Sequence, residues 1–248
     1  MSKFIDRLKK VSQPLPPQMG FRPKSAESAR PKIQLVASLH DFPHTPADKL
    51  TAADAVVVPD TKSITAEVLC GLQQKKGTLG EVDKAIEAGA DFIILQFKGA
   101  VVPSDKKIGK ILQIDSSVTD VMLRTVNDLP LDAVMVTQDS EDSSAITWQK
   151  LMLSRRFSGM LMKPVLVSIP PTVNAEELQL LWEMGVSGVV VDIKGDTDVT
   201  ALDALRKLIN GLQYPSPRKR ERLMAVLPQV SAETKKPEEP DEDDDDDD

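Results

Sequence analysis

Three aspartates follow short β-branched runs in this sequence: Asp60 after AVVVP, Asp115 at the end of ILQID, and Asp192 inside GVVVDI. Lys62, Lys98 and Lys194 stand just beyond comparable runs. If such runs are strands that open on one mouth, Asp115 and Asp192 with Lys98 form an acid/base set for proton transfer. Asp60, Lys62, Ser168, Lys194 and Gly195 then form the ligand-binding rim, with Lys194 as a point charge and Gly195 allowing close approach. The same carboxylates would suit a divalent cation, but nothing in the sequence fixes their separation, and no metal site is assigned. The competing account of each aspartate is a solvated turn or helix cap, where Asp is favoured.

Other strand-end residues are weaker candidates: His40 and Asp41, Gln73 and Gln74, Ser116, Gln138 and Asp139. His40 and His44 would share a face of a helix, but Pro43 and Pro46 make their segment a loop. The single cysteine, Cys70, allows no internal disulfide and no ordinary zinc cluster, which fits a reducing, cytoplasmic setting. An imine-forming lysine of the aldolase-barrel kind is expected within a strand, and no predicted strand contains one. No nucleophile elbow, P-loop or dinucleotide fingerprint occurs, so the hydrolase, kinase and nicotinamide-enzyme classes have no motif behind them and the sequence leaves any cofactor unknown.

The elements that would position these residues repeat one pattern, an apolar run, a turn and an amphipathic stretch. Strands are predicted at 33–39, 55–59, 68–73, 92–97, 111–115, 133–137, 165–169 and 188–193. The run at 68–73 is the weak member, because 64–76 also reads as one helix. Helices are predicted at 79–88, 118–129, 145–157, 175–184 and 199–212. Gly89, Gly185 and Gly211 are placed as left-handed stops, and Asn174 with Glu176 and Glu177 as an N-terminal cap. Eight strands buried on both faces and covered by helices predict an α/β fold, a (β/α)8 barrel of the TIM type. An open doubly wound sheet would be expected to carry a glycine-rich first turn, and LVASLHDFPHTP has none.

Two segments, TLGEVDKAIEAGADFIILQF (78–97) and KPVLVSIPPTVNAEELQLLWEMGVSGVVVDIKG (163–195), resemble parts of the ribulose-phosphate-binding and related phosphate-binding barrels. The resemblance covers about a fifth of the chain and implies that 163–195 supplies the seventh and eighth strands, beside a phosphate held by backbone N–H groups. This chain departs from that pattern, with Pro170, Pro171 and Thr172 after the seventh strand where glycines would stand. Two prolines remove two donors from the expected grip.

Residues 1–12 place Phe4, Ile5, Leu8 and Val11 on one stripe and Lys3, Arg7, Lys9 and Lys10 elsewhere, a short basic amphipathic helix. It reads as a plug across the barrel bottom, or as a dispensable docking element for a protein partner or an anionic lipid surface. A proline-rich connector spans 13–31, the barrel 32–230, and a disordered tail 231–248. Residues 237–248 hold ten acidic groups, so removing them from the formal charge of −7 leaves the body at +3. That balance gives no case for nucleic acid, and no recognition motif supports one. No apolar run reaches transmembrane length, and the N-terminus lacks a signal-peptide core. After the last predicted helix, Arg218, Lys219, Arg220 and Arg222 precede Leu223 and Met224 as a basic patch or short helix.

Two functions of different class follow. One is a non-catalytic or degenerate barrel acting through partner contacts at the N-terminal helix or the acidic tail. The other is a lyase, isomerase or transferase for a phosphorylated or anionic metabolite. The second requires Asp115, Asp192 and a lysine to line the mouth with a shifted pKa, whereas Met, Leu and Pro side chains plugging the mouth would exclude it.

Overall fold

The computed structural model describes residues 2–13, 31–39, 50–64, 68–74, 78–101, 107–137 and 145–215. His40, Asp41, His44, Gln138 and Asp139, most of the proline-rich connector, and everything after Pro215 lie outside these residues. Eight parallel strands close in sequence order: β1 (Gln34–Ser38), β2 (Ala55–Val58), β3 (Cys70–Gln73), β4 (Phe92–Gln96), β5 (Gly109–Asp115), β6 (Ala133–Thr137), β7 (Val165–Ile169) and β8 (Gly188–Asp192). β8 pairs back onto β1 through five register pairs, from Gln34 with Gly188 to Ser38 with Asp192. The third strand is present, and its neighbours fix it: Val56 to Val58 pair with Cys70 to Leu72, and Gly71 to Gln73 with Phe92 to Ile94. A parallel strand gains ladder hydrogen bonds on both sides, which outweighs the helical periodicity of its sequence.

The helices are α1 (Lys3–Ser12), α2 (Leu79–Glu87), α3 (Asp120–Val126), α4 (Trp148–Met160), α5 (Ala175–Glu183) and α6 (Asp196–Gly211). Their bounds follow side-chain caps. Thr119 and Thr147 accept from the N–H groups of Met122 and Lys150, so α3 and α4 begin later than their apolar periodicity alone suggests. Asn174 closes the expected capping box with Glu177. Gly89 and Gly185 take φ of 83° and 97° at helix ends, as expected. Gly211 does not: it is the last residue of α6, without positive φ, and the chain leaves through extended Leu212.

Strand alternation divides the core into two clusters. Leu35, Ala37, Val56, Val58, Ile93, Leu112 and Val189 face the helices in the larger cluster. Val36, Ala55, Val57, Phe92, Ile94, Ile111, Ala133, Met135, Leu166 and Val190 fill the barrel interior, together with Phe4, Ile5 and Leu8 of α1. The N-terminal helix is therefore the plug. Its Ser2 hydroxyl and the N–H groups of Lys3 and Phe4 all donate to Asp91, just before β4, at 2.6, 2.9 and 2.9 Å. Lys9 pairs with Asp132, just before β6, at 3.2 Å. Phe4 packs on Phe92 with ring centroids 4.8 Å apart. The backbone makes room for these rings: a Cβ at Gly71 would lie 2.2 Å from the Phe92 ring, and one at Gly109 2.7 Å from Ile5.

Two expectations are corrected by this packing. The apolar face of α1 is consumed by the barrel, with Phe4 and Leu8 at 0% exposure, so only its charged face is available to a partner or a lipid surface, and the helix is part of the core. β5 begins two residues before its apolar run and so contains a lysine, Lys110, which is buried and lies between two inward positions, Gly109 and Ile111. Its N–H donates to Asp132 at 3.0 Å, which extends the ladder to the polar end of the strand.

Candidate functional site at the barrel mouth

At the bottom of the barrel the interior is closed by α1 and apolar except for the buried Gln34 of β1; at the C-terminal ends of the strands the inward rows, that of β2 excepted, turn polar. Two residues beyond an interior aliphatic or glycine, each row carries Ser38 on β1, Gln73 on β3, Gln96 on β4, Thr137 on β6, Ser168 on β7 and Asp192 on β8. On β5 the row carries both Gln113 and Asp115. β2 is the exception, ending Val57 and then buried Pro59. Pro59 is the one residue of the Met, Leu and Pro kind at these rim positions, so the described inward rows carry no continuous apolar plug.

The mouth has two differently built sides. On the β3–β5 side Gln73 Nε2 donates to Gln113 Oε1 at 3.3 Å, bridging across β4. Asp115 lies above this pair and Lys98 follows β4; both are exposed, and the Lys98 charge reaches the Asp115 carboxylate. Asp115 Oδ1 accepts from the Ser117 N–H at 2.8 Å and from the Ser117 hydroxyl. Those bonds, the hydroxyl first, hold its carboxyl below the ordinary aspartate range against a small desolvation effect, and Lys98 adds to them. Oδ2 accepts no hydrogen bond from the described residues, so one oxygen remains for a ligand.

On the β7–β1 side Asp192 and Ser38 are register partners, and Ser168 pairs with Val190 one step below. Asp192 is exposed and makes no hydrogen bond among the described residues. Its charge acts on Lys150, in the first turn of α4. Lys150 is 7% exposed. Burial pushes its ammonium below the ordinary lysine range, and Asp192 opposes that shift.

Asp115 is thus brought together with Lys98, and Asp192 with Lys150, on strands β5 and β8 of the same mouth. The rim residues are placed less uniformly. Asp60 accepts from the N–H and hydroxyl of Ser63 at 3.1 Å each, capping the 3-10 turn Thr61–Ser63 in which Lys62 lies. Gln74 is buried and structural: it donates to Thr78 O at 3.2 Å and accepts from the Gln96 N–H at 3.3 Å. Lys194 is exposed, and its N–H donates to Asp198 at 2.9 Å. Gly195 precedes α6 with no side-chain cap. An acid on the first turn of α6 already occupies the Lys194 amide beside this helix end. Among the described residues no group of three or more His, Cys, Asp or Glu is arranged for a metal.

Lys150 escapes a motif-based reading because it sits on a helix rather than at a strand end. Its sequence signal was periodicity: Lys150, Ser154 and Phe157 share the buried stripe of α4, a lysine where an apolar residue is expected.

The closed eight-stranded parallel sheet makes this chain a (β/α)8 TIM barrel. Solved structures agree. The alpha-subunit of tryptophan synthase from the hyperthermophile Pyrococcus furiosus superposes with a TM-score of 0.52 at 16% identity, over 73% of this chain and 98% of that one. A chain of the tryptophan synthase complex from the same organism superposes with a TM-score of 0.53 at 15% identity, over 73% and 99%. At such identity the likeness is one of fold. No family model matches the sequence, and no curated protein matches it significantly. Among the described residues no helix is long and apolar enough to cross a membrane.

Proposed function

We propose that the barrel is a small-molecule enzyme of the lyase, isomerase or transferase class, acting on a phosphorylated or otherwise anionic metabolite at its C-terminal mouth. The observation that carries this reading is that seven of the eight inward rows end in polar side chains at the mouth, whereas the opposite end carries Gln34 of β1 among aliphatic residues and glycines. A barrel whose only task was to present its outer surface would not need hydroxyl, amide and carboxylate groups to converge on one opening, whereas a polar substrate does. Asp192, with a carboxylate free of hydrogen bonds to the described residues, is assigned as the proton-transferring group. Asp115, held ionised by Ser117, is assigned to orient the substrate or stabilise positive charge, with Lys98 beside it. Ser38 and Ser168 supply hydroxyls toward polar substrate groups. The solved neighbours are subunits of an enzyme, which supports the reading at the level of fold.

A thermal-shift screen of phosphorylated and carboxylated metabolites tests it, because a ligand of the native state alone raises the melting temperature. At least one compound should stabilise the wild type by several degrees and lose that effect in Asp192→Asn and Gln113→Ala. A screen in which no compound stabilises the wild type, or in which both variants respond as the wild type does, would refute the mouth as a metabolite site.

A further inference from the structure

Among the described lysines, Lys150 stands apart in how its charge is housed. Lys9, Lys32 and Lys163 each reach an acceptor: a carboxylate for Lys9, and backbone carbonyls for the other two. Lys150 is more than nine-tenths buried, yet its ammonium makes no hydrogen bond or ion pair among the described residues. Its backbone N–H is used, donating to Thr147 Oγ1 at 3.2 Å, so this turn of α4 is fixed. α4 follows β6 and packs against β7, so its first turn lies level with the C-terminal ends of the strands. Helical side chains lean toward the helix N-terminus, which directs this one up toward the mouth. The Asp192 carboxylate makes itself felt at the ammonium from β8 without pairing with it.

We propose that Lys150 is an anion-binding group of the mouth, receiving a carboxylate or phosphate of the ligand from the β6–β7 side while Asp192 faces the ligand's hydroxyl or cationic part. This rests on the reading of the mouth as a metabolite site and adds the place where the anionic group is held. The stem of Lys150 is buried while its ammonium reaches the surface without an acceptor among the described residues, and a ligand oxyanion supplies both an acceptor and a counter-charge there. A lysine serves as a point charge without demanding planar bidentate geometry. The position also answers what is lacking after β7 and β8, where Pro170 and Pro171 carry no N–H and the Lys194 N–H is spent on Asp198.

The test is thermal unfolding and calorimetric titration of the full chain with inorganic phosphate and with malonate, against sodium chloride at matched ionic strength. At least one of the two oxyanions should stabilise the wild type saturably beyond chloride, and which one responds separates a phosphate from a carboxylate site. Lys150→Met should weaken that binding at least tenfold, Lys150→Arg should retain most of it, and Lys207→Met on the exposed side of α6 should leave it unchanged. Absence of oxyanion-specific stabilisation in the wild type overturns the proposal, as does undiminished binding in Lys150→Met or an equal loss in Lys207→Met. Should Lys150→Met fold poorly, the ε-carbon resonance of Lys150, identified by its absence in Lys150→Arg, must shift on phosphate or malonate addition, and an unmoved resonance overturns the proposal. Anion binding that depends on Lys150, in a chain whose metabolite screen fails, would separate this site from the catalytic reading; a stabilising metabolite indifferent to Lys150 would do the reverse.

Discussion

Substituting Phe4 by Ala should destabilise the barrel from its floor. Phe4 is 0% exposed, sits inside the barrel against Phe92 at 4.8 Å, and belongs to a helix with only three buried side chains, so the vacancy has little mobile material to fill it. Truncating a buried Phe costs about 3–5 kcal/mol when the site relaxes poorly. At roughly 2–4 °C per kcal/mol for a chain of this size, the melting temperature should fall by roughly 6 to 20 °C. Removing residues 1–12 deletes Phe4, Ile5 and Leu8 together. At about 1.5–3 kcal/mol for each buried side chain, the loss is comparable with the whole stability of an ordinary domain, about 5–15 kcal/mol. The truncated chain should therefore fail to give a cooperative transition. Urea unfolding followed by circular dichroism measures both, with Arg7→Ala on the exposed face as a control expected to stay within about 0.5 kcal/mol. A Phe4→Ala loss below about 1 kcal/mol, or a truncated chain that melts like the wild type, would show that α1 is not the floor of the core.

Gly71→Ala places a Cβ 2.2 Å from the ring of Phe92, a side chain pinned by Phe4, and should cost at least about 1–3 kcal/mol of urea stability; a neutral variant would mean that the ring can move aside. Lys150→Met should raise the stability of the ligand-free chain near neutral pH, because it removes a partly desolvated charge without an ion-pair partner among the described residues. The folded-state pKa of Lys150 lies below its unfolded value, so the cost of burying the charge is full at lower pH and is relieved as pH rises from the folded to the unfolded value. The stability difference between variant and wild type should shrink over that window, and a pH-independent difference would refute the assignment. Ser117→Ala should raise the titration of Asp115 toward that of an ordinary aspartate, read by carboxyl carbon NMR, since the Ser117 hydroxyl is the largest influence holding it down. The small stabilisation from that bond is present above the unfolded pKa and lost as pH falls through the folded one, so acid unfolding of the variant should start slightly earlier.

The sequence by itself determined the local periods and their order. Buried β-branched runs alternating with amphipathic stretches could be covered on both faces only by a parallel sheet with helices around it, and Asn174, Gly89 and Gly185 marked helix ends because cap and left-handed geometry are local properties. It also placed Asp115 and Asp192 at strand ends, since strand direction puts such residues at one mouth. Tertiary structure decided the rest. The strand character of Cys70–Gln73 came from its two neighbours, and the inclusion of Lys110 in β5 from a ladder that runs past the apolar residues. Whether Phe4, Ile5 and Leu8 would meet a partner, a lipid or the barrel's own interior could not be read from an amphipathic stripe, which specifies an apolar face but not what covers it. The influence of Asp192 on a lysine of α4 was likewise invisible. Lys150 and Asp192 are far apart in sequence, and only barrel closure brings the first turn of α4 near the end of β8.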